Sequence, residues 1–256
     1  MLNTNNEITH LLFEKSQALH KAPRTIVTFT TIPEADVLLN NIEMYPHFFV
    51  LGCIMDRQIP AEKAWKIPYI ISQQCGGPDF QHFLSLDHKN LVNLFIELKL
   101  HRFNEQMAGH FYSALQRIHI RYQDNAANIW LEGEPRCNEV ITRFAEFSGV
   151  GQKISTMATN ILVREFKVPL KNTDEIDISV DSQITKVFKR LGIVPVNASL
   201  QQIVEAARRI YPAYPGIADS VVWEIGRDYC KSNLSGCHLC FLNEYCPKVE
   251  SAENPI

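Results

Sequence analysis

The chain lacks an apolar run that could cross a bilayer: the longest, around His47 to Met55, falls far short of the roughly 20 residues a spanning helix needs. It lacks the look of a secretory leader as well, because Met1 to Thr9 is polar, so a cytosolic protein is expected. There is no repeat and no low-complexity tract, and a length of 256 residues suits one large domain or two smaller ones with real cores. An excess of positive charge is also missing. With 25 Lys and Arg against 28 Asp and Glu the formal net charge is −3, so any nucleic-acid binding must come from a local patch. Seven cysteines without a secretory context do not predict disulfides. Cys53, Cys75 and Cys137 are scattered among apolar or loop segments and read as small buried or semi-buried thiols.

What is present is helical periodicity, and the chain reads as all-α. Asn5 to Leu19 is a plausible helix, and a Thr-rich extended or loop segment follows from Arg24 to Pro33. Helical patterns then cover Asp36 to Ile42, Pro46 to Met55, Ala61 to Ser72, Asp79 to Leu84 and Lys89 to Leu98. Met107, Phe111, Leu115 and Ile118 would stack on one face of a longer helix. Lys167 to Ser179 is polar, holds Pro169 and three acids, and reads as an exposed loop. Periodicity resumes with Ile184 to Leu191, Leu200 to Ala207 and Ile217 to Ile225.

The stretch around which the chain is organised is Phe147-Ser148-Gly149-Val150-Gly151-Gln152-Lys153. Val140, Ile141, Phe144 and Phe147 follow helical spacing before it, and Ile154, Met157, Ala158, Ile161 and Leu162 do so after it, which predicts helix, hairpin, helix. Two glycines flanking one valine allow a tight turn and let backbone N–H groups approach a bulky partner, while the following helix N-terminus adds partial positive charge; a phosphate suits such a place. Lys153 sits in the first helical turn, where the helix dipole disfavours a cation, and that mismatch is expected of a functional residue. Asp181 immediately precedes the Ile184 helix and reads as its N-cap, a role that also fixes the carboxylate in one orientation.

Cys230, Cys237, Cys240 and Cys246 are separated by six, two and five residues. Four thiolates in so short a segment can wrap one soft metal centre, a tetrahedral zinc or an iron–sulfur cluster. Zinc sites usually combine two close pairs across a longer loop. Here only Cys237 and Cys240 form such a pair, which favours a cluster.

Gly149-Val150-Gly151-x-Lys153, then Val180-Asp181, then Gly226-Arg227-x-x-Cys230 and the other three cysteines resemble endonuclease III, a helix-hairpin-helix DNA glycosylase with a 4Fe-4S cluster. The resemblance covers Arg143 to Pro247, and the cysteine spacing is its most specific part. It implies two helical lobes, a barrel over 39–166 that includes the hairpin and a cluster lobe built from 1–38 and 167–256. It implies base-excision repair by a bifunctional glycosylase and abasic-site lyase, with double-stranded DNA as partner, acting as a monomer in the cytoplasm at the nucleoid. Lys153 would attack the sugar C1′ and form a Schiff base, and Asp181 would steady the developing oxocarbenium charge. Gly149, Val150 and Gly151 would hold the DNA backbone. Phe48 to Leu51 leading into Asp56-Arg57-Gln58 looks like the family segment with an inserted glutamine, so Gln58 is the expected wedge and Leu100 a second.

The adenine-removing branch is rejected, because its catalytic glutamate falls where this chain has Gly52-Cys53-Ile54. Ser148 stands where the family has proline before the hairpin glycine, the interval from Lys153 to Asp181 is longer by about one loop, and the Cys230–Cys237 loop carries one positive charge. The first changes little, and the other two point to an unusual substrate or weaker duplex affinity. Lys99, His101, Arg102, Arg117, His119 and Arg121, with Lys186, Lys189 and Arg190, are expected to form a phosphate-facing stripe. An abasic-site or mismatch-directed enzyme and a non-catalytic damage-binding protein remain the alternative functions.

Overall fold

The computed structural model of the chain describes residues 2–249. Among them no strand forms, and the helices run α1 (Leu2–Lys21), α2 (Pro33–Asn40), α3 (Pro46–Met55), α4 (Ala61–Trp65), α5 (Ile67–Cys75), α6 (Phe80–Leu84), α7 (His88–Glu97), α8 (Asn104–Tyr122), α9 (Asn128–Leu131), α10 (Cys137–Ala145), α11 (Gln152–Arg164), α12 (Ser182–Arg190), α13 (Leu200–Ile210) and α14 (Asp219–Glu224). The periodic segment Ala61 to Ser72 is two helices rather than one. Pro68 sits in the first turn of α5, where its missing N–H removes the bond that would have continued α4, so the chain restarts at Lys66.

The chain packs as two compact units, one spanning Arg24–Lys171 and the other combining the segments on either side of it, up to Pro23 and from Asn172. The boundaries fall at 23/24 and 171/172, where the sequence placed them at 38/39 and 166/167. Side-chain contacts account for the difference. Phe29 stacks on Trp65 with ring centroids 4.4 Å apart, Asn40 exchanges two hydrogen bonds with the Val27 backbone, and Val168 and Leu170 pack on the same core.

In the Arg24–Lys171 unit the core is built around α3, every residue of which is buried. A helix that is apolar on all sides must be surrounded, and α2, α4, α5, α8 and α11 pack against it. Gly52 sets the closest approach: a Cβ there would lie 2.6 Å from the Trp65 ring. Each large α3 side chain removed from water contributes about 2 kcal/mol, which makes this helix the rigid platform of the unit. In the other unit, Phe13 of α1 stacks on Tyr211, and the Tyr211 hydroxyl donates to the Thr9 carbonyl at 3.1 Å.

Leu100, expected as a second wedge, is packed inward. The residue before it, Lys99, takes φ +50°, and the Leu100 N–H then bonds back to the Phe95 carbonyl at 3.0 Å. This left-handed helix ending folds the next side chain inward, so Leu100 is 3% exposed and belongs to the core. Leu100→Ala should therefore lower stability by about 2–4 kcal/mol, seen as a lower urea midpoint; an unchanged midpoint would place Leu100 outside the core.

His47 gives a second expectation. Its Nε2–H donates to the Pro78 carbonyl at 2.8 Å, and burial pushes its pKa down to about 4. The folded chain keeps it neutral while the unfolded chain takes up a proton near pH 6.5, so stability is full above that pH. It should decline by up to about 3 kcal/mol as pH falls towards 4. Unfolding measured across that window should lose part of its slope in His47→Gln; an identical slope assigns the effect to other groups.

Candidate active site

The glycine turn joins α10 to α11 in the Arg24–Lys171 unit. Phe147, 2% exposed, anchors its start, and the Val150 N–H bonds to the Phe147 carbonyl at 3.0 Å. Gly149 takes φ +83°, which strains any residue with a Cβ, and an added Cβ would lie 2.8 Å from both Arg57 Nη1 and His110 Cδ2. Gly151 opens α11, accepting from the Ile154 and Ser155 N–H groups at 3.1 Å. Nothing lies within 4 Å of where its Cβ would be. The N–H groups of Gly151, Gln152 and Lys153 find no acceptor among the described residues, so the open end of α11 presents donors and partial positive charge to whatever approaches.

The turn is held from beneath by side chains that sequence reasoning missed. Arg57 Nη1 donates to the Gly149 carbonyl at 2.9 Å, and His110 Nδ1 and Ser148 Oγ are 2.9 Å apart. Ser148, where the family has proline, thus gains a partner on α8. Burial, then the nearby Arg57 charge, pushes the His110 pKa down.

Lys153 Nζ lies 3.2 Å from Asp56 Oδ2, with the lysine side chain 36% exposed and the aspartate 12%. Asp56 closes the C-terminus of α3. Its sequence signal was an acid placed directly after a wholly apolar run and beside the expected wedge. The Cys53 thiol, one turn earlier, is raised well above its ordinary pKa by burial first and then by the Asp56 charge, with Lys153 acting the other way. Gln58 is exposed and takes φ +51° at the tip that follows α3.

Asp181 belongs to the other unit, where it caps α12 as its position predicts: its Oδ1 accepts from the Ile184 N–H at 2.8 Å. In the same unit Cys230, Cys237, Cys240 and Cys246 line one cavity, walled by Val187, Leu191, Ile225 and Tyr229. Gly236 makes the connecting turn possible, since a Cβ there would lie 2.3 Å from the Tyr229 carbonyl oxygen. Arg190, 8% exposed, donates to Cys230 Sγ at 3.4 Å and to the Lys231 carbonyl at 2.5 Å. Burial pushes the Cys240 and Cys246 thiols up, and the neighbouring cysteine sulfurs add to it. Four thiols lining one apolar cavity, with the Arg190 cation behind Cys230, are the donor type a soft, positively charged centre takes, but their side chains are not drawn together as ligands of one ion. Among the described residues no three His, Cys, Asp or Glu are grouped so as to hold a metal ion.

The expected basic stripe is largely spoken for within each unit. Arg117 pairs with Glu146, His119 Nδ1 with Asp124 at 2.6 Å, and Arg121 Nη1 with Glu132 at 3.0 Å. His101 is 3% exposed, Lys186 Nζ bonds the Gly226 carbonyl at 2.7 Å, and Arg190 is turned to the cysteines. Spacing showed where the cations lie along the chain and could not show the carboxylates that meet them.

No protein-family model matches the sequence, and no curated protein matches it. Solved structures do. A trapped endonuclease III–DNA covalent intermediate superposes with a TM-score of 0.61 at 16% identity, over 95% of this chain and 96% of that one. A thermostable thymine-DNA glycosylase gives 0.60 at 13% identity, over 96% and 97%. The 8-oxoguanine glycosylase/lyase of Clostridium acetobutylicum, in complex with DNA, gives 0.54 at 18% identity, over 76% and 67%. At these identities the likeness is one of fold: the chain has the all-α helix-hairpin-helix DNA glycosylase fold, as in endonuclease III.

Proposed function

We propose that this protein is a base-excision repair DNA glycosylase that also cleaves abasic sites, with Lys153 as nucleophile. The observation that carries the reading is the placement of a single amine in the first turn of α11, directly after a glycine turn whose N–H groups are left open. A DNA phosphate seated on Gly149, Val150 and Gly151 would bring the adjoining sugar to that amine. The similar structures support the direction: one is a covalent endonuclease III–DNA intermediate and another a glycosylase/lyase.

In this reading the damaged nucleotide leaves the duplex and Gln58, exposed at the tip after α3, fills the space. Lys153 attacks C1′ and the base departs with its bonding pair; the amine gives up a proton, the C1′–O4′ bond opens with its pair and a proton going to O4′, and the resulting Schiff base makes the C2′ proton acidic enough for β-elimination of the 3′ phosphate. The resemblance to endonuclease III assigns Asp181, held in one orientation by its capping bond, the steadying of the positive charge that develops on the sugar. Cys230, Cys237, Cys240 and Cys246 would hold a 4Fe-4S cluster, which when bound pins the carboxy-terminal segment around one centre and leaves no coordination position open. Four thiols on one cavity suit either centre, and the six-two-five spacing supports the cluster over zinc.

Borohydride should trap the protein on a duplex carrying a damaged base, and Lys153→Ala should lower the adduct by about 1,000-fold or more. An alanine variant that still traps would reassign the nucleophile. Anaerobically purified protein should be brown and contain iron and sulfide in equal amounts, and Cys240→Ser should lose both colour and cooperative unfolding of its unit. A colourless, zinc-containing protein would replace the cluster with zinc.

A further inference from the structure

The end of α3 carries a carboxylate that the function proposed above leaves unused. Asp56 Oδ2 is 3.2 Å from Lys153 Nζ, within direct proton-transfer reach. Both residues lie in the Arg24–Lys171 unit, so the pair is complete within one compact body. It is also held firmly. The helix that ends at Asp56 is buried along its whole length, the next residue, Arg57, is bonded to the Gly149 carbonyl, and Lys153 is fixed by the first turn of α11. Other titratable or charged groups around this junction are the Cys53 thiol, raised by burial, the Arg57 guanidinium, the Lys63 ammonium beside His101, and the His101 and His110 imidazoles, both lowered by burial.

We propose that Asp56 is a catalytic residue that takes the proton from Lys153 and returns it later in the same step. The proposal rests on the lyase reading and adds the group that makes the amine reactive. The Lys153 ammonium passes a proton to Asp56 Oδ2, leaving a neutral amine. The nitrogen lone pair attacks C1′ of the open-chain abasic aldehyde, the carbonyl pair moves to oxygen, and a proton shifts from nitrogen to that oxygen. Asp56 then gives its proton to the new hydroxyl, the C–O bond breaks, water leaves, and the nitrogen lone pair closes the C=N bond. Ammonium and aldehyde have become iminium and water, and Asp56 is again a carboxylate.

Magnitudes favour this role over a passive ion pair. A partly exposed ion pair is worth about 1 kcal/mol or less, so a carboxylate that only pairs with the amine holds back its attack by less than about tenfold. Proton transfer by a positioned group contributes about 100- to 10,000-fold. Removing Asp56 therefore slows the reaction if the carboxylate moves a proton and slightly speeds it if it only pairs.

Single-turnover borohydride trapping on a duplex with one abasic site separates the cases, using the full chain with Asp56→Asn and Asp56→Glu beside the wild type and Lys153→Ala. Asp56→Asn should trap about 100-fold more slowly near pH 7, with the deficit shrinking as rising pH lets solvent base remove the proton; Asp56→Glu should recover most of the rate. A rate for Asp56→Asn within a few fold of wild type, a faster one, or a deficit equal at every pH overturns the assignment while leaving the lyase reading intact. Absence of any Lys153-dependent adduct in the wild type overturns both. Should Asp56→Asn fail to fold, Asp56→Glu decides: a pH–rate profile displaced along the pH axis supports proton transfer by the carboxylate, and a lower rate with an unmoved profile refutes it.

Discussion

The junction between the C-terminus of α3 and the glycine turn is the constraint on which the candidate site depends. Two consecutive residues make it: Asp56 reaches the Lys153 amine at 3.2 Å and Arg57 reaches the Gly149 carbonyl at 2.9 Å. Each contact joins positions more than ninety residues apart in sequence, so they hold only because α3 is locked inside the core. A buried helix cannot shift without opening voids across its whole surface, and interiors packed like organic crystals resist that strongly. The turn therefore inherits the rigidity of the core, which is what a preorganised site requires.

Rigidity below and openness above divide the work of the turn. Gly149 is needed because its φ of +83° and the closeness of Arg57 and His110 leave no room for a side chain. Gly151 meets no such obstacle, and its value lies on the other side, where bare backbone lets a bulky anion reach the free N–H groups of α11. Ser148 fits the same plan, exchanging the stiffness of proline for a hydrogen bond to His110. Arg117, His119 and Arg121 are each paired with a carboxylate of the same unit.

The cysteine unit follows a different logic, because little secondary structure lies between Cys230 and Cys246. A turn possible only with Gly236, a buried arginine donating to Cys230, and a wall of apolar residues bring the sulfurs to one cavity. Short-range turn bonds, such as Leu234 N–H to the Lys231 carbonyl and Asn243 N–H to the Cys240 carbonyl, shape the segment between those anchors.

Helical periodicity, the glycine turn, the N-cap at Asp181 and the cysteine spacing were all legible in the sequence, because each is a local rule satisfied within a few residues. Periodicity could not reveal that Leu100 turns inward, since that depends on a left-handed Lys99 closing α7. Nor could it reveal that Val27 and Phe29 side with the Arg24–Lys171 unit, or that carboxylates meet Arg117, His119 and Arg121. The partner of Lys153 was equally hidden, because no short-range rule links positions 56 and 153. The sequence by itself determined an all-α chain with one amine at a helix start and four thiols in a row. Only tertiary packing decided which carboxylate meets that amine, because a contact between distant positions is set by how the whole core closes around α3.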